Sequence, residues 1–300
     1  MFKKSFLLLL LITFALNLQA QDREEKKKSK WRDKWEHRWD MWHDDARPFM
    51  EFNYGLGEPK HKSLHDNLNE VGMLEFKIGY STLDIYESDY VLELDEKYIF
   101  GSNISNELKN NNKSFTGFNT EAWKFGFGNR TGYGYKLGEI SIMPYYQYDF
   151  TWTKIEVKNL PDVTILSIPL PAIAEDVKKL ERFNGNFRFG NSNAAGIKIE
   201  IGGFFGLNAD YETSVIFPRH LFWKQAGSFL AEQFVIQAVD YFVEEIMDRS
   251  PAAAPIVNFI LKNGVSYAFY VLKRDEMNWP FKTETPLTYE TARFGLSFAF

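Results

Sequence analysis

The feature that most constrains the fold of this chain is a two-residue period of hydrophobicity, which recurs in runs of about ten residues between positions 49 and 300. In one such run, four apolar residues alternate with four small or charged ones: Leu74, Phe76, Ile78 and Tyr80 with Glu75, Lys77, Gly79 and Ser81. Successive side chains of a β-strand point to opposite faces, so each run predicts a half-buried strand. The chain is therefore predicted to be all-β, with an apolar face that meets either a protein core or lipid.

The positions of these runs predict eight strands, within a range of eight to twelve. The strands are expected near 49–57, 70–83, 90–100, 119–131, 139–153, 193–211, 264–273 and 287–300. A hairpin hidden within 183–217 would raise the number to ten. The loops expected to face outward are 58–69, 101–118 and 154–192, the last with a short helix after Pro171.

The polar faces of the strands carry charges of both signs, which can pair inside a narrow barrel: Glu51, Glu75, Asp149 and Glu200 against Lys77, Lys124, Arg130, Lys198 and Arg293. The apolar faces end in Tyr and Trp, as do the aromatic girdles of membrane barrels. Alternation also explains why 17% aromatic residues coexist with a mean hydropathy of -0.34. These observations favour a lipid-facing wall around a polar interior over a soluble sandwich.

The last 14 residues, LTYETARFGLSFAF, place apolar side chains on one face and end in phenylalanine. This segment resembles the closing strand of bacterial outer-membrane β-barrels, and Arg293, Gly295, Phe298 and Phe300 match its pattern position by position. The resemblance implies an antiparallel transmembrane β-barrel over 49–300, inserted into outer-membrane lipid by the barrel assembly machinery, which reads these residues as an assembly signal. The resemblance implies a porin-like architecture and a Gram-negative host, and it identifies no subfamily.

The N-terminus is predicted to be a cleaved signal peptide at 1–20, with basic Lys3 and Lys4 before an apolar core at 6–16. A core of eleven residues is too short to cross roughly 30 Å of hydrocarbon, although a short membrane anchor is the alternative. Export together with the closing strand predicts location in the cell outer membrane.

Residues 21–48 form a charged segment with four tryptophans at helical spacing: Trp31, Trp35, Trp39 and Trp42. These indoles are candidate anchors at the membrane interface or on a periplasmic partner. The alternative is a disordered leader. Two histidines and two aspartates in the segment match no metal-ligand spacing: His37, His43, Asp40 and Asp44.

Residues 218–263 break the strand pattern and predict an α-helical insert. Apolar residues recur every four positions opposite polar ones, at Leu230, Phe234, Ala238, Phe242 and Ile246. This helix is expected to end near Arg249, with a second one from Pro255 to Lys262. With the strand order above, the insert is expected outside the barrel at its periplasmic end. A plug inside the lumen is the alternative, and it would need a wider barrel.

Composition and motifs exclude several classes of function. The chain has no cysteine, and its net charge of -5 without a long basic tract argues against nucleic-acid binding. No nucleotide, metal or cofactor motif is present. The candidates for catalysis are His61 and His65, with Ser63 and Asp66 in the first outward loop, but this lysine-rich loop fits a solvated surface better. We therefore predict a non-enzymatic barrel with a structural, binding or narrow transport role. The alternatives are a channel for small or hydrophobic solutes gated by the insert, and a lipid-directed enzyme.

Overall fold

The computed structural model describes residues 46–65, 68–86, 89–109, 119–158 and 171–300. The predicted signal peptide at 1–20, the four tryptophans of the 21–48 segment and Asp66 lie outside the described residues.

Eight antiparallel strands form a closed barrel in which each strand pairs with its neighbours in sequence and β8 pairs with β1. Closure is continuous along the first and last strands, from Phe49 opposite Ala299 to Lys60 opposite Thr288. The predicted fold class is thereby confirmed. The strands are β1 (Arg47–Lys60), β2 (Val71–Ile85), β3 (Val91–Ser105), β4 (Asn119–Leu137), β5 (Ile140–Lys158), β6 (Phe187–Ile201), β7 (Phe205–Ile216) and β8 (Leu287–Ala299).

The described parts of the connections contain three α-helices: α1 (Pro171–Glu181) between β5 and β6, and α2 (Phe222–Arg249) and α3 (Ala254–Lys273) between β7 and β8. A short 3₁₀ helix, Asn106–Leu108, follows β3. The expected helix after Pro171 is thus present. Within the described ranges, no helix has both the length and the apolar character needed to cross a membrane.

The alternation along the strands separates the two walls of the barrel as predicted. Phe52 is 52% exposed on the outside, whereas Glu51 is fully buried inside. The outer wall is apolar over much of its area, with large exposed side chains that include Leu74, Ile78, Ile99, Phe125, Phe294 and Leu296.

The prediction of one strand at 193–211 is wrong, because this segment contains the end of β6, a tight turn and the start of β7. The turn is built on Gly202 and Gly203, whose φ angles are 62° and 71°. These left-handed conformations suit glycine and match the twist of a β-hairpin. The hairpin considered within 183–217 is therefore present.

The prediction of a strand at 264–273 is also wrong, because this segment is the second half of α3. Its alternation is outweighed by a helical pattern of burial in which the protected residues recur every three or four positions: Ala254, Asn258, Lys262, Ser266 and Phe269. Gly264 does not end the helix; an exposed glycine costs only about 1 kcal/mol there. One strand gained and one lost leave eight.

These two changes reverse the end at which the helical insert is attached. The insert connects β7 to β8, so it leaves and rejoins the barrel at the end opposite the termini, with the outward loops. The expected attachment at the periplasmic end is therefore wrong, since it followed from a miscounted strand order.

The external position of the insert is confirmed. The α2–α3 hairpin (Phe222–Lys273) lies against the outer wall and reaches its far end, where the hydroxyl of Tyr135 donates to the carbonyl of Ala252 at 2.6 Å. Midway along the wall, the ring of Phe229 lies 5.7 Å from that of Tyr148 and 5.4 Å from that of Phe150. The hairpin spans the height of the barrel without entering the lumen.

Candidate functional site

The barrel interior is the region with the densest chemistry, because charged side chains from seven of its eight strands pair there. We call this the ionic layer: Glu51, Glu75, Lys77, Glu96, Lys124, Arg130, Lys198, Asp210, Glu212 and Arg293, all 8% exposed or less. Buried charges are tolerated only when they are paired and hydrogen-bonded, so the partners of each decide what this layer can do.

Arg130, on β4, organises the half of the ionic layer nearer the termini. Its guanidinium donates to both carboxylate oxygens of Glu51 at 2.8 and 2.9 Å, and to Glu96 at 2.7 Å. The guanidinium carbon also lies 4.4 Å from the ring centroid of Tyr145. Planar guanidinium suits this geometry, in which one cation binds two acids and stacks on an aromatic face.

Arg293, on β8, organises the other half. Its Nε donates to Asp210 at 2.6 Å, and one terminal nitrogen bonds Glu212 and donates to Glu75 at 3.1 Å. The hydroxyl of Tyr145 donates to the second oxygen of Asp210 at 2.8 Å. The two halves of the layer are thus joined through Tyr145.

Lysines complete the layer. Lys77 lies between Glu51 and Glu75, at 3.3 and 3.5 Å. Lys198 pairs with Glu96, and Lys124 pairs with Glu212, both at 2.5 Å.

The predicted pairing of charges inside the barrel is confirmed for Glu51, Glu75 and Glu200. It is wrong for Asp149, whose carboxylate accepts hydrogen bonds from neutral side chains, those of Tyr98, Gln147 and Ser192.

Three paired acids were missed: Glu96, Asp210 and Glu212. Asp210 and Glu212 flank Tyr211, so the alternation would have revealed them once the turn at Gly202–Gly203 was recognised. Glu96 lies in β3, whose apolar periodicity is weak.

Apolar side chains seal the lumen above and below the ionic layer. At the end of the termini the seal includes Phe49, Leu94, Met143 and Tyr145. At the other end, α1 and the segment after it cover the mouth; this cap consists of Leu68, Val71, Met73, Ile104, Ala122, Ile155, Val157, Val177, Leu180, Phe183, Ile216, Leu287 and Tyr289.

The two candidate histidines lie at the edge of the cap. His61 contacts the hydroxyl of Ser63 through Nδ1 at 3.1 Å, whereas His65 contacts the carboxylate of Asp176, on α1, at 3.0 Å. Partial burial and the nearby ammonium of Lys179 lower the pKa of His61. A catalytic relay needs the hydroxyl and the carboxylate on opposite sides of one imidazole, whereas these contacts place them on two. The histidines instead join the first loop to α1.

The residues of the predicted assembly signal occupy distinct environments on β8. Arg293 lies in the ionic layer, and Gly295 faces the lumen where the side chains of Asn53 and Asn208 meet. Phe298 and Phe300 point outward, with ring centroids 5.8 and 5.5 Å from that of Phe204. The backbone of Phe300 donates to the carbonyl of Pro48 at 2.9 Å, which extends the closure by one residue.

No group of three or more His, Asp or Glu side chains within the described part of the chain is placed to hold a metal ion. The carboxylates of the ionic layer are bound by arginine and lysine.

Comparison with known proteins finds similarity in structure only. No protein family matches the sequence, and no curated protein matches it. The crystal structure of Neisserial surface protein A is 8% identical, with a TM-score of 0.41, over 85% of this chain and 99% of that one. Ail, the attachment invasion locus protein of Yersinia pestis, is 8% identical with a TM-score of 0.34 over the same shares. Its complex with the heparin analogue sucrose octasulfate is 10% identical, with a TM-score of 0.30. The strand number and closure of this barrel rest on its own hydrogen-bond register, which confirms the predicted closed antiparallel barrel of eight strands.

Proposed function

We propose that this protein is an outer-membrane β-barrel with a structural or binding role, exercised by its rim and outer wall and not by transport through its lumen. The observation that carries the proposal is the ionic layer, in which Arg130 and Arg293 have no exposure to solvent. A solute path would have to separate these cations from their acids, and leaving a buried charge unpaired costs several kcal/mol. The role is non-enzymatic, because the rim histidines serve to attach the first loop to α1.

The outer wall supports the membrane location. Phe52, Ile99 and Phe294 are 52%, 62% and 67% exposed, within a belt of similar side chains. Soluble monomers rarely expose contiguous apolar patches of more than a few hundred Å². Lipid is the solvent in which this wall is stable.

The route to the membrane follows from the ends of the chain. Residues 1–20 would direct export, and Arg293, Gly295, Phe298 and Phe300 would present the closing strand to the barrel assembly machinery. Trp31, Trp35, Trp39 and Trp42 would anchor the 21–48 segment at the membrane interface or on a periplasmic partner.

Planar-bilayer recording tests the closed lumen. We expect the purified, reconstituted protein to give no steady ion current under conditions in which a general porin conducts, because the ionic layer and both seals block the lumen. A steady current through the protein would contradict the proposal and favour the channel alternative. Folded barrel in the same preparation is verified by heat-dependent migration in gels.

A further inference from the structure

We infer that the α2–α3 hairpin is immersed in the bilayer beside the barrel, with its outward face against acyl chains over the same depth as the strands. The inference rests on the proposed membrane location and adds a helical part to the membrane-embedded surface. The outward face of the hairpin is thus covered by lipid hydrocarbon.

The first observation is which side chains the hairpin exposes. Outside its tip at 248–253, every position from Ser228 to Leu272 in the exposed class is apolar, aromatic or glycine: Leu230, Phe234, Tyr241, Ile256, Ile260, Gly264, Tyr267 and Val271. A surface helix in water has the opposite pattern, with polar residues outside and apolar residues against the core. The exposed face of this hairpin has the character of the neighbouring barrel wall.

The second observation is where the charges of the hairpin lie. Glu232 on α2 pairs with Lys273 on α3, and Asp240 pairs with Lys262 across the same helix contact at 2.6 Å. The side chains of the two lysines are 4% and 9% exposed. Ionisable groups within a membrane are expensive unless they face a protein interior and pair there. These two pairs meet both conditions, and Glu245, which is 35% exposed, lies within one turn of the tip and pairs there with Arg249.

The third observation is that polar and aromatic groups reappear at the two ends of α2. Phe222, Trp223 and Lys224 are exposed at its start, and Asp248 and Arg249 at its end. From Lys224 to Asp248 the helix extends about 36 Å at ~1.5 Å per residue, compared with roughly 30 Å for bilayer hydrocarbon. Tryptophan and charged residues at these positions match the two membrane–water interfaces.

The fourth observation is the wall beneath the hairpin. Asn191, Asn193 and Thr213 lie on the outward face of β6 and β7, yet they are 4%, 6% and 6% exposed. Tyr146, on the outward face of β5, donates to Asn193 at 3.2 Å. Since α3 contacts all three of these strands, the hairpin covers a polar section of wall and presents an apolar face instead.

The absence of cysteine from the chain allows a direct test with single labels on the full-length protein in phosphatidylcholine vesicles. The test positions are Leu230→Cys on α2 and Ile260→Cys on α3. Phe76→Cys on the barrel wall is the lipid reference, and Asp248→Cys at the hairpin tip is the water reference. Each carries a bimane fluorophore and is quenched either by doxyl-labelled phosphatidylcholine or by iodide.

We expect labels at 230 and 260 to lose as much fluorescence to the doxyl lipid as the label at 76, and the label at 248 to be quenched mainly by iodide. Quenching at 230 and 260 by iodide, with the label at 76 still quenched by lipid, would overturn the inference and leave the membrane barrel intact. Protection of 230 and 260 from both quenchers would also overturn it, since protein would then cover the face. Quenching of the label at 76 by iodide would refute the proposed membrane location itself.

Discussion

At the scale of single residues, Arg293 combines two constraints on this chain. It is the polar position of the predicted assembly signal, and it is also the cation that binds Glu75, Asp210 and Glu212 inside the barrel. Arg293 lies on the closing strand and pairs with three acids from β2 and β7. Closure of the barrel therefore also neutralises these acids in its interior.

Replacement of this cation tests the ionic layer. We expect Arg293→Met to lower the free energy of unfolding by about 3–5 kcal/mol, because three buried carboxylates lose a shared partner. Denaturant unfolding of the reconstituted barrel measures the loss. The control is Arg249→Met at the hairpin tip, where a 78% exposed side chain pairs with Glu245 four residues earlier and contributes about 0.3–0.5 kcal/mol. Equal effects of the two substitutions would show that the interior ion pairs do not stabilise the barrel.

Gly295 lies against two asparagine side chains inside the barrel. A Cβ atom there would overlap the side-chain oxygen of Asn53 and lie 2.7 Å from the side-chain nitrogen of Asn208, two atoms that themselves share a 2.7 Å hydrogen bond. We expect Gly295→Ala to destabilise the barrel by about 1–3 kcal/mol, as overpacking does. In Gly264→Ala, the added methyl meets open space, and we expect a gain of about 1 kcal/mol from helix propensity. Denaturant unfolding compares the two variants. An unchanged free energy of unfolding for Gly295→Ala would show that the side chains of Asn53 and Asn208 move apart at no cost.

At the scale of elements, the cap shows how α1 is held over the barrel mouth. Apolar contacts of Val177, Leu180 and Phe183 provide the seal. His65, in the first loop, binds Asp176 on α1. His61 lies beside Phe183, with ring centroids 5.9 Å apart. A partly buried imidazole in this position makes the loop sensitive to protonation.

The direction of that sensitivity follows from the lowered pKa of His61, whose unperturbed value is 6.5. The folded cap binds fewer protons than the unfolded loop, so its stability is greatest above pH 6.5 and falls as the pH drops toward the folded-state pKa. We expect the hydrogen-exchange protection of residues 61–65, corrected for intrinsic rates, to decrease with acidification over this range. His61→Gln should make the decrease smaller. Protection that falls equally in both proteins would assign the effect to another group.

The helical hairpin shows, at the same scale, why amphipathicity must be interpreted together with the solvent. Leu230 and Phe234 of the apolar stripe are exposed, whereas Asp240 on the opposite face pairs with Lys262 of the other helix. Inversion of the usual arrangement has a physical cause if the medium around the hairpin is hydrocarbon.

At the scale of the whole molecule, the barrel is a closed cylinder filled along its axis. Apolar clusters seal both ends, and paired charges occupy the middle. Because the first and last strands are hydrogen-bonded, no sheet edge is open to another chain. This arrangement underlies the expectation of zero steady conductance, since opening the lumen would require loss of the seals as well as the ion pairs.

The helical hairpin enlarges this cylinder on one side only. Its contacts run from the connection after β7 to the turn end of β4, so one sector of the wall presents helices and the remainder presents strands. Labels at 230 and 260 against a label at 76 therefore compare the helical sector of the outer surface with the strand sector.

Much of this architecture is determined by the sequence itself. A period of two specifies the apolar and polar faces of each strand regardless of what surrounds it, so the polar interior, the apolar wall and the closing strand at 287–300 were predictable. The pairing of opposite charges was predictable for the same reason, because a narrow lumen brings all inward positions together.

Other features depend on contacts between distant residues. The alternation continues across Gly202–Gly203, so periodicity alone does not separate β6 from β7; the Gly-Gly pair marks the turn, and strand pairing fixes it. Val265, Tyr267, Phe269 and Val271 suit a strand as well as a helix, and packing of α3 against α2 and the barrel selects the helix. The attachment of the insert, the cap over the mouth and the acids bound by Arg293 follow from that topology. Local periodicity determines which way a side chain points, whereas the partner it meets there is decided only when the barrel closes.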